Sequence, residues 1–293
     1  MLLASRMVEA QRARLGVTEH SRSSAGLRYV YPVVSRRAGG VSIGINLNTN
    51  NACNWRCIYC QVPDLIRGAP PPVDLALLRR ELAGFLDNVL HGDFLAARVP
   101  PDARRLNDIA LSGNGEPTSA REFAQVVDLI GEVREQAGVA PEVKTVLITN
   151  GSLAQRTGVQ RGIERLAALN GEVWFKLDRG TEAGVREVNN SRTSLARVRG
   201  NLGSVASRCP TWIQTCLFTL AGAAPAQAEA QAYVAFLRTC LAAGIALRGV
   251  LLYSLARASM QPEASLLGRL SAAQLEAFAE PVRALGLNVR ITP

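Results

Sequence analysis

The chain has 293 residues, of which 48% are hydrophobic and 19% are charged, which is the balance of a globular protein. This length and composition exclude a disordered or collagen-like chain and provide for one large domain or two ordinary ones. No apolar run reaches the ~18 to 20 residues of a membrane span, and the N-terminus meets Arg6 before a signal-peptide core forms. We therefore expect a cytoplasmic protein that does not enter a membrane.

The formal net charge of +9 raises the question of nucleic-acid binding. Only Lys144 and Lys176 are lysines among the 33 basic residues, a skew that is as typical of codon composition as of selection for phosphate contacts. A nucleic-acid binder built on charge alone clusters its basic residues, whereas here they are spread. One modest concentration lies near the N-terminus and consists of Arg6, Arg12, Arg14, Arg22, Arg28, Arg36 and Arg37. RNA is therefore a partner to test, because the charge alone does not establish it.

Strand and helix patterns alternate along the chain. The apolar runs predict six strands, over residues 41–48, 107–112, 144–149, 172–178, 211–220 and 246–254. Apolar residues at helical spacing predict helices over 74–91, 119–136, 155–169, 225–243 and 271–285, with a helical or mixed segment before 203 and a short terminal strand over 287–292. The near-continuous apolar strands are typical of a parallel sheet covered on both faces. Six β/α units in sequence predict an α/β fold, either an open doubly wound sheet or a barrel.

Polar and special residues follow the predicted strands. A cysteine-bearing stretch (49–64) follows the first strand, GNGEPT (113–118) follows the second, and Asn150 opens an Asn-Gly turn after the third. The fourth strand ends with Lys176 and Asp178. The carboxyl ends of parallel strands meet at one edge of a sheet, and that edge is where α/β enzymes build their sites. The sequence therefore predicts a composite active site at this edge.

Three of the six cysteines lie together, with the spacing Cys53-x3-Cys57-x2-Cys60. Disulfide scaffolds are short, secreted and cysteine-dense, so a metal site is the better interpretation of this trio. Three thiolates suit a 4Fe–4S cluster with one iron left open, since a fully ligated cluster takes four. Structural zinc requires four ligands, so zinc stays an alternative that needs a remote fourth one. The candidates for it are Cys209, Cys216, Cys240, His20 and His91.

The trio resembles the Cys-x3-Cys-x-aromatic-Cys hallmark of the radical S-adenosylmethionine (radical SAM) superfamily, with Tyr59 in the aromatic position. In that superfamily the amino and carboxylate groups of S-adenosylmethionine chelate the open iron. GNGEPT resembles the Gly-Gly-Glu element of the superfamily, with Gly115 and Glu116 in its second and third positions. Asn114 stands where the first glycine is usual.

Residues 29 to 255 resemble, more narrowly, the branch of iron–sulphur oxidoreductases related to the wybutosine-forming enzymes of tRNA modification. The resemblance lies in YPVVSRRAGGVSIGINL, ACNWRCIYCQ, LSGNGEPT, VLITNGSL and WFKLD. The wybutosine enzymes bind a second cluster through additional N-terminal cysteines, and residues 1–52 contain none. We therefore do not expect their pyruvate-dependent ring formation here.

The resemblance implies a partial (β/α)6 TIM-like barrel with parallel strands. It divides the chain into a basic N-terminal extension (1–28), the barrel core (29–255) and a C-terminal helix and short strand packed on the core (256–293). It implies cluster ligation by Cys53, Cys57 and Cys60. As contacts to S-adenosylmethionine we expect Tyr59, Gly115, Glu116, Asn150, Lys176 and Asp178.

The implied activity is reductive cleavage of S-adenosylmethionine to a 5′-deoxyadenosyl radical, which abstracts hydrogen from a substrate. The protein would be an oxidoreductase- or transferase-type enzyme that draws electrons from an external carrier of the flavodoxin or ferredoxin type. The substrate is unidentified, with a tRNA base suggested by the branch. The alternatives are radical modification of a small metabolite or peptide, and a non-catalytic iron–sulphur or zinc protein.

Several of these residues also have structural interpretations. Instead of contacting a cofactor, Gly-Asn-Gly and the Asn150 turn could each be a plain turn between a strand and a helix. Lys176 and Asp178 alternatively form a buried ion pair that fixes the strand. Cys216 and Cys240 are expected in the core, because they lie within an apolar strand and helix. Cofactor or substrate contact is an open alternative for Asn189, Asn190 and Arg192.

Overall fold

The computed structural model describes residues 14–16, 22, 24–35 and 39–293. Arg6, Arg12, Arg36 and Arg37, together with most of the expected extension over 1–28, lie outside the described residues.

The described residues form a mixed series of strands and helices. The strands are β1 (Val30–Ser35), β2 (Gly40–Ile45), β3 (Ala52–Cys53), β4 (Ile66–Arg67), β5 (Leu106–Leu111), β6 (Lys144–Thr149), β7 (Gly171–Lys176), β8 (Thr211–Leu220), β9 (Gly249–Ser254), β10 (Leu267–Arg269) and β11 (Val289–Thr292). The helices are α1 (Leu75–Leu90), α2 (Phe94–Arg98), α3 (Phe123–Gln136), α4 (Thr157–Ala168), α5 (Glu182–Asn189), α6 (Leu195–Ala206), α7 (Gln227–Ala242) and α8 (Ala272–Arg283).

Nine of these strands build one curled sheet in the order β1-β2-β5-β6-β7-β8-β9-β11, with β10 paired to β8. β3 and β4 pair in a separate two-stranded sheet. All neighbours from β2 to β11 pair in parallel. Helices separate the successive parallel strands, because parallel neighbours need a long crossover connection. The sheet forms a half-barrel, which confirms the predicted α/β class and partial TIM-like barrel.

Two antiparallel strands depart from the all-parallel prediction. β1 pairs with β2, and β10 pairs with β8. The close packing of β1 on β2 depends on Gly44, because a Cβ there would lie 2.1 Å from the ring of Tyr31. The strand predicted over 246–254 begins only at Gly249, whose φ of +145° and close approach to the Asn288 carbonyl break the run before it.

The core lies between the sheet and its helices. In β7, Val173 and Phe175 are buried on the helix side, while Trp174 and Lys176 alternate to the other face. Cys216 and Cys240 are fully buried, as predicted for core residues. Within the described ranges, no helix is long and apolar enough to cross a membrane.

Candidate functional site

A cavity of about 220 Å³ opens at the carboxyl ends of the parallel strands. Five successive strands, β5 to β9, each contribute to the wall of the cavity. Ser112, Ile148, Lys176 and Tyr253 lie at or just after the ends of their strands, whereas Gln214 lies in the first half of β8. The three clustered cysteines and the GNGEPT turn line the same cavity. The structure thus brings together at one edge the segments that the sequence analysis assigned to a composite site.

The segment that bears the three cysteines, residues 53–60, is the cysteine loop, and the end of helix α5 holds it by backbone hydrogen bonds. The backbone N–H of Ile58 donates to the carbonyl of Val188 at 2.8 Å, and that of Arg56 donates to the carbonyl of Asn189 at 3.3 Å. Trp55 is 8% exposed and lines the cavity wall. These bonds fix the backbone of the loop.

A segment after β9, residues 257–263, covers the loop from the other side, and we call it the strap. Ser259 Oγ donates to the Ile58 carbonyl at 2.7 Å, and the Met260 N–H donates to the Cys60 carbonyl at 2.9 Å. Glu263 accepts two bonds from Arg56, at 2.9 and 2.7 Å. The sequence analysis missed the strap, because no motif marks these residues.

The cysteine side chains are partly enclosed thiols in this structure. Burial raises the pKa of Cys53 to about 11 and that of Cys57 to about 12. A bound cation reverses this preference, because a coordinated thiol loses its proton. Thiolate ligation therefore requires iron or another metal to supply the positive charge.

The donor set fits a cluster with one open iron. Cys53, Cys57 and Cys60 line the cavity, and the lining residues include no other cysteine and no histidine. Over the described part of the chain, no three His, Cys, Asp or Glu side chains are placed to hold a single metal ion. A four-iron cube is larger than one ion and takes each thiolate on a separate iron, so it tolerates wider spacing between the sulphurs. Their roles as ligands remain predictions.

The turn after β5 packs directly on the cysteine loop. A Cβ on Gly115 would lie 2.1 Å from the Ala52 carbonyl oxygen and 2.5 Å from Asn48 Nδ2. The Asn114 N–H donates to Asn46 Oδ1 at 3.0 Å. Only glycine allows this approach, so Gly115 has a structural role whether or not it also contacts a cofactor.

Glu116 is buried and its carboxylate is fully engaged by the protein. Oε1 accepts from the Thr118 N–H and hydroxyl and from the Thr149 hydroxyl, and Oε2 accepts from the Asn150 N–H at 2.7 Å. Burial raises the pKa of Glu116, although these donors favour the charged form. The carboxylate therefore ties the end of β5 to the end of β6, and its contact with a cofactor stays a prediction.

Replacing Glu116 with glutamine is expected to lower the free energy of unfolding by about 2 to 3 kcal/mol. The amide keeps the shape but turns one acceptor into a donor, which then faces the Asn150 N–H or the threonine hydroxyls. Urea unfolding followed by circular dichroism measures the change. Glu132→Gln, at an exposed ion pair with Arg79, is the matched control and is expected to change stability by less than about 0.5 kcal/mol. Equal effects of the two variants would contradict the structural role of Glu116.

Tyr59 stands between the cavity and the sheet. Its ring packs on Phe218 with centroids 5.6 Å apart, and Lys176 Nζ lies 5.0 Å from its centroid. Its hydroxyl donates to Asp178 Oδ2 at 2.6 Å. Asp178 also accepts the Cys216 N–H at 2.9 Å, so this carboxylate lies behind Tyr59 and orients it.

Lys176 and Asp178 therefore have different surroundings. Lys176 lines the cavity, whereas Asp178 is 2% exposed and hydrogen-bonded on both oxygens. Burial works to lower the pKa of Lys176, but its interactions with Tyr253, Cys57 and the Asp178 carboxylate, which is the charged group among the three, outweigh burial and raise that pKa. The lysine is thus held as a cation facing the cavity. Contact of either residue with a cofactor remains a prediction.

Asn150 lines the cavity and links two loops. Its Nδ2 donates to Asn54 Oδ1 at 2.8 Å, while its Oδ1 accepts from the hydroxyl and the N–H of Ser152. Asn150 therefore stabilises the turn after β6 and also lines the cavity.

The segment around Asn189 contacts the cysteine loop. Asn189 Nδ2 donates to Cys57 Sγ at 3.3 Å and to Asp178 Oδ2 at 2.7 Å. Asn190 has a left-handed backbone, with φ +50°, and its Nδ2 donates to the Arg56 carbonyl at 2.9 Å. Arg192 is exposed. Of the three residues proposed from this motif, two therefore contact the loop directly.

Gln214 is a site residue that the sequence analysis did not identify. It is 2% exposed, it lines the cavity, and its Oε1 has no hydrogen-bond partner among the described residues. An unpaired buried acceptor is costly, so its presence on a cavity wall indicates a polar ligand. The signal was present as one amide inside the apolar strand TWIQTCLFTL.

No protein-family model matches the chain. Two curated relatives are each 28% identical. A UPF0026 protein of Helicobacter pylori aligns over 137 residues, 45% of this chain and 38% of its own length. A UPF0026 protein of Methanocaldococcus jannaschii aligns over 183 residues, 60% of this chain and 48% of its own length. The match thus spans less than half the length of these curated relatives.

Solved structures share the half-barrel. A radical SAM methyltransferase from Sphaerobacter thermophilus superposes with a TM-score of 0.59 at 15% identity, over 86% of this chain and 66% of that one. TYW1 with a lysine–pyruvate adduct bound gives a TM-score of 0.52 at 15% identity, over 95% of this chain and 81% of that one. The chain therefore has the fold of radical SAM enzymes.

Proposed function

We propose that the chain is a radical SAM enzyme that holds a 4Fe–4S cluster on Cys53, Cys57 and Cys60. The observation that carries the proposal is the meeting of the three thiols with the GNGEPT turn and with Lys176 in one cavity. The fold shared with radical SAM enzymes supports it. When bound, the cluster and S-adenosylmethionine supply one-electron cleavage of the cofactor's C–S bond and a carbon radical that abstracts hydrogen.

The chain's own residues would bind and orient these groups. The loop that bears the thiols is held by α5 and by the strap. The cation at Lys176 and the unpaired acceptor at Gln214 offer opposite hydrogen-bonding partners to a zwitterionic ligand. The buried Trp55 ring lines the cavity beside the thiols.

Anaerobic reconstitution with iron and sulphide tests the proposal. We expect about four irons per chain, as one cluster requires, and 5′-deoxyadenosine after reduction by dithionite with S-adenosylmethionine present. A protein carrier of the flavodoxin or ferredoxin type is the physiological reductant we propose. Tightly bound zinc without iron would overturn the proposal in favour of the structural alternative. Iron without 5′-deoxyadenosine would favour a non-catalytic iron–sulphur protein.

Lys176→Met is expected to weaken S-adenosylmethionine binding about 10- to 100-fold without loss of iron. A charged hydrogen bond contributes about 1.5 to 3 kcal/mol, and 1.4 kcal/mol corresponds to a factor of ten. Equilibrium dialysis on the reconstituted protein measures the dissociation constant. Lys144→Met is the matched control. Lys144 is the first residue of β6, at the edge of the sheet away from the cavity, and its Nζ donates a hydrogen bond to Asn170 Oδ1. Unchanged affinity in Lys176→Met would assign Lys176 to the substrate or to the fold.

For the substrate we propose an RNA base, with a small metabolite or peptide as the alternative. Arg22 lines the cavity and Arg192 is exposed on the segment that contacts the cysteine loop, so cations lie where a phosphate backbone would approach. Binding to phosphates weakens steeply with salt, because it releases counterions. Salt-sensitive co-purification of RNA with the full chain would support this substrate class.

A further inference from the structure

We infer that Asn189, held by Asp178, is a positioning residue that sets the reduction potential of the cluster bound at Cys57. The inference rests on the proposed function, because it concerns the cluster that Cys57 would hold. It goes beyond that function by assigning a role to a residue that is neither a ligand nor part of the cysteine or GNGEPT motifs.

The first observation is the bond to sulphur itself. Asn189 Nδ2 lies 3.3 Å from Cys57 Sγ, and the amide is 1% exposed. The other hydrogen bonds given to a sulphur of the trio within the described residues go to Cys53 and come from backbone N–H groups, that of Trp55 at 3.5 Å and that of Glu116. Asn189 is thus a side-chain donor that substitution can remove without changing the loop sequence.

The second observation is that the donor is fixed from behind. Asp178 Oδ2 accepts the Asn189 amide at 2.7 Å and also the Tyr59 hydroxyl at 2.6 Å. Asp178 Oδ1 accepts the Cys216 N–H at 2.9 Å. A carboxylate is an acceptor only, so it orients the Asn189 side chain with its NH₂ group toward both Asp178 and the sulphur.

The third observation is the backbone geometry that delivers the amide. Asn189 is the last residue of α5, and Asn190 after it takes the left-handed conformation that ends the helix. The Asn189 carbonyl accepts the Arg56 N–H, and the Val188 carbonyl accepts the Ile58 N–H. The backbone of α5 thus meets the backbone on both sides of Cys57, which fixes the distance between amide and sulphur.

The physical consequence is a difference in energy between the two oxidation states. Hydrogen bonds to the sulphurs and net charge near a cluster set its potential. A donor to sulphur stabilises the reduced, more negative state and raises the potential, whereas the nearby Asp178 carboxylate lowers it. Removing the two groups one at a time should therefore move the potential in opposite directions.

The test is a redox titration, followed by electron paramagnetic resonance, of the reconstituted full chain and its variants. Asn189→Leu removes the donor and should shift the midpoint potential to a more negative value at unchanged iron content. Asp178→Asn removes the charge but keeps one acceptor oxygen for the Asn189 amide, so the midpoint potential should shift to a more positive value. Asn201→Leu, at a buried asparagine of α6 that accepts from Gln155, is the matched control and should leave the potential unchanged.

Asn189→Ser provides a second variant if the leucine does not fold, because serine is small and polar but does not reach the sulphur. An unshifted potential in an iron-loaded Asn189 variant overturns the inference and leaves the proposed function standing. Shifts of the same sign in the Asn189 and Asp178 variants also overturn it. A wild-type chain that takes up no iron overturns the proposed function, and the inference with it.

Discussion

Replacing Cys57 with alanine is expected to abolish cluster binding, so that iron falls from about four atoms per chain to background and the visible absorbance disappears. Cys57 is the central member of the trio. Its sulphur accepts a hydrogen bond from Asn189, and the positive charge of Lys176 acts to lower its pKa. Two remaining thiolates do not hold a four-iron cube in place. Iron analysis and absorbance spectroscopy after anaerobic reconstitution measure the effect.

Cys240→Ala is the matched control for this experiment. Cys240 is fully buried in α7 and does not line the cavity, so its loss removes one small core group and no ligand. We expect full iron in this variant and a modest loss of stability. Full iron in the Cys57 variant as well would exclude Cys57 as a ligand, and full loss in both would point to unfolding rather than to ligation.

Replacing Gly115 with alanine is expected to destabilise the fold by about 3 kcal/mol and to disturb the cysteine loop. The new Cβ would stand 2.1 Å from the Ala52 carbonyl and 2.5 Å from Asn48 Nδ2, and a backbone oxygen cannot move aside without moving β3. Urea unfolding gives the change in stability. Iron uptake by the variant reports on the cysteine loop, since Ala52 directly precedes Cys53.

Gly200→Ala makes the same chemical change where there is room. Gly200 lies within α6, no heavy atom would approach its Cβ within 4 Å, and alanine favours a helix by about 0.5 to 1 kcal/mol. We expect this control to be slightly more stable than the wild type. If Gly115→Ala were equally stable, the tight contact between the GNGEPT turn and the cysteine loop would not exist in solution.

The fold was predictable because its signals are local and periodic. Apolar runs marked β6 and β8 closely, and helical spacing marked α1 and α7 within a few residues. The antiparallel strand β1 was not predicted. The pattern of apolar residues does not show whether a strand at the edge of the sheet pairs in parallel or antiparallel. The start of β9 was predicted three residues too early. The strand begins at Gly249, where the backbone approaches the Asn288 carbonyl, and that contact is not visible in the sequence.

The residues of the candidate site could be predicted only where they form a recognisable sequence motif. The cysteine spacing, GNGEPT and the Lys176–Asp178 pair all stand out in the sequence, and the structure places them at one edge of the sheet. The position of Asp178 behind Tyr59 did not follow from alternation along the strand. Strand alternation gives a face of the sheet, but it does not say which neighbour covers a side chain.

The sequence by itself determined the α/β class, the order of strands and helices, and the three thiols that define the candidate metal site. Only the tertiary structure decided which residues hold and surround those thiols. The bond from Asn189 to Cys57 joins residues 132 apart, and that from Ser259 to Ile58 joins residues 201 apart. Periodicity and spacing report on neighbours within a few turns, whereas these contacts depend on the curl of the whole sheet, which brings the ends of distant strands to one cavity.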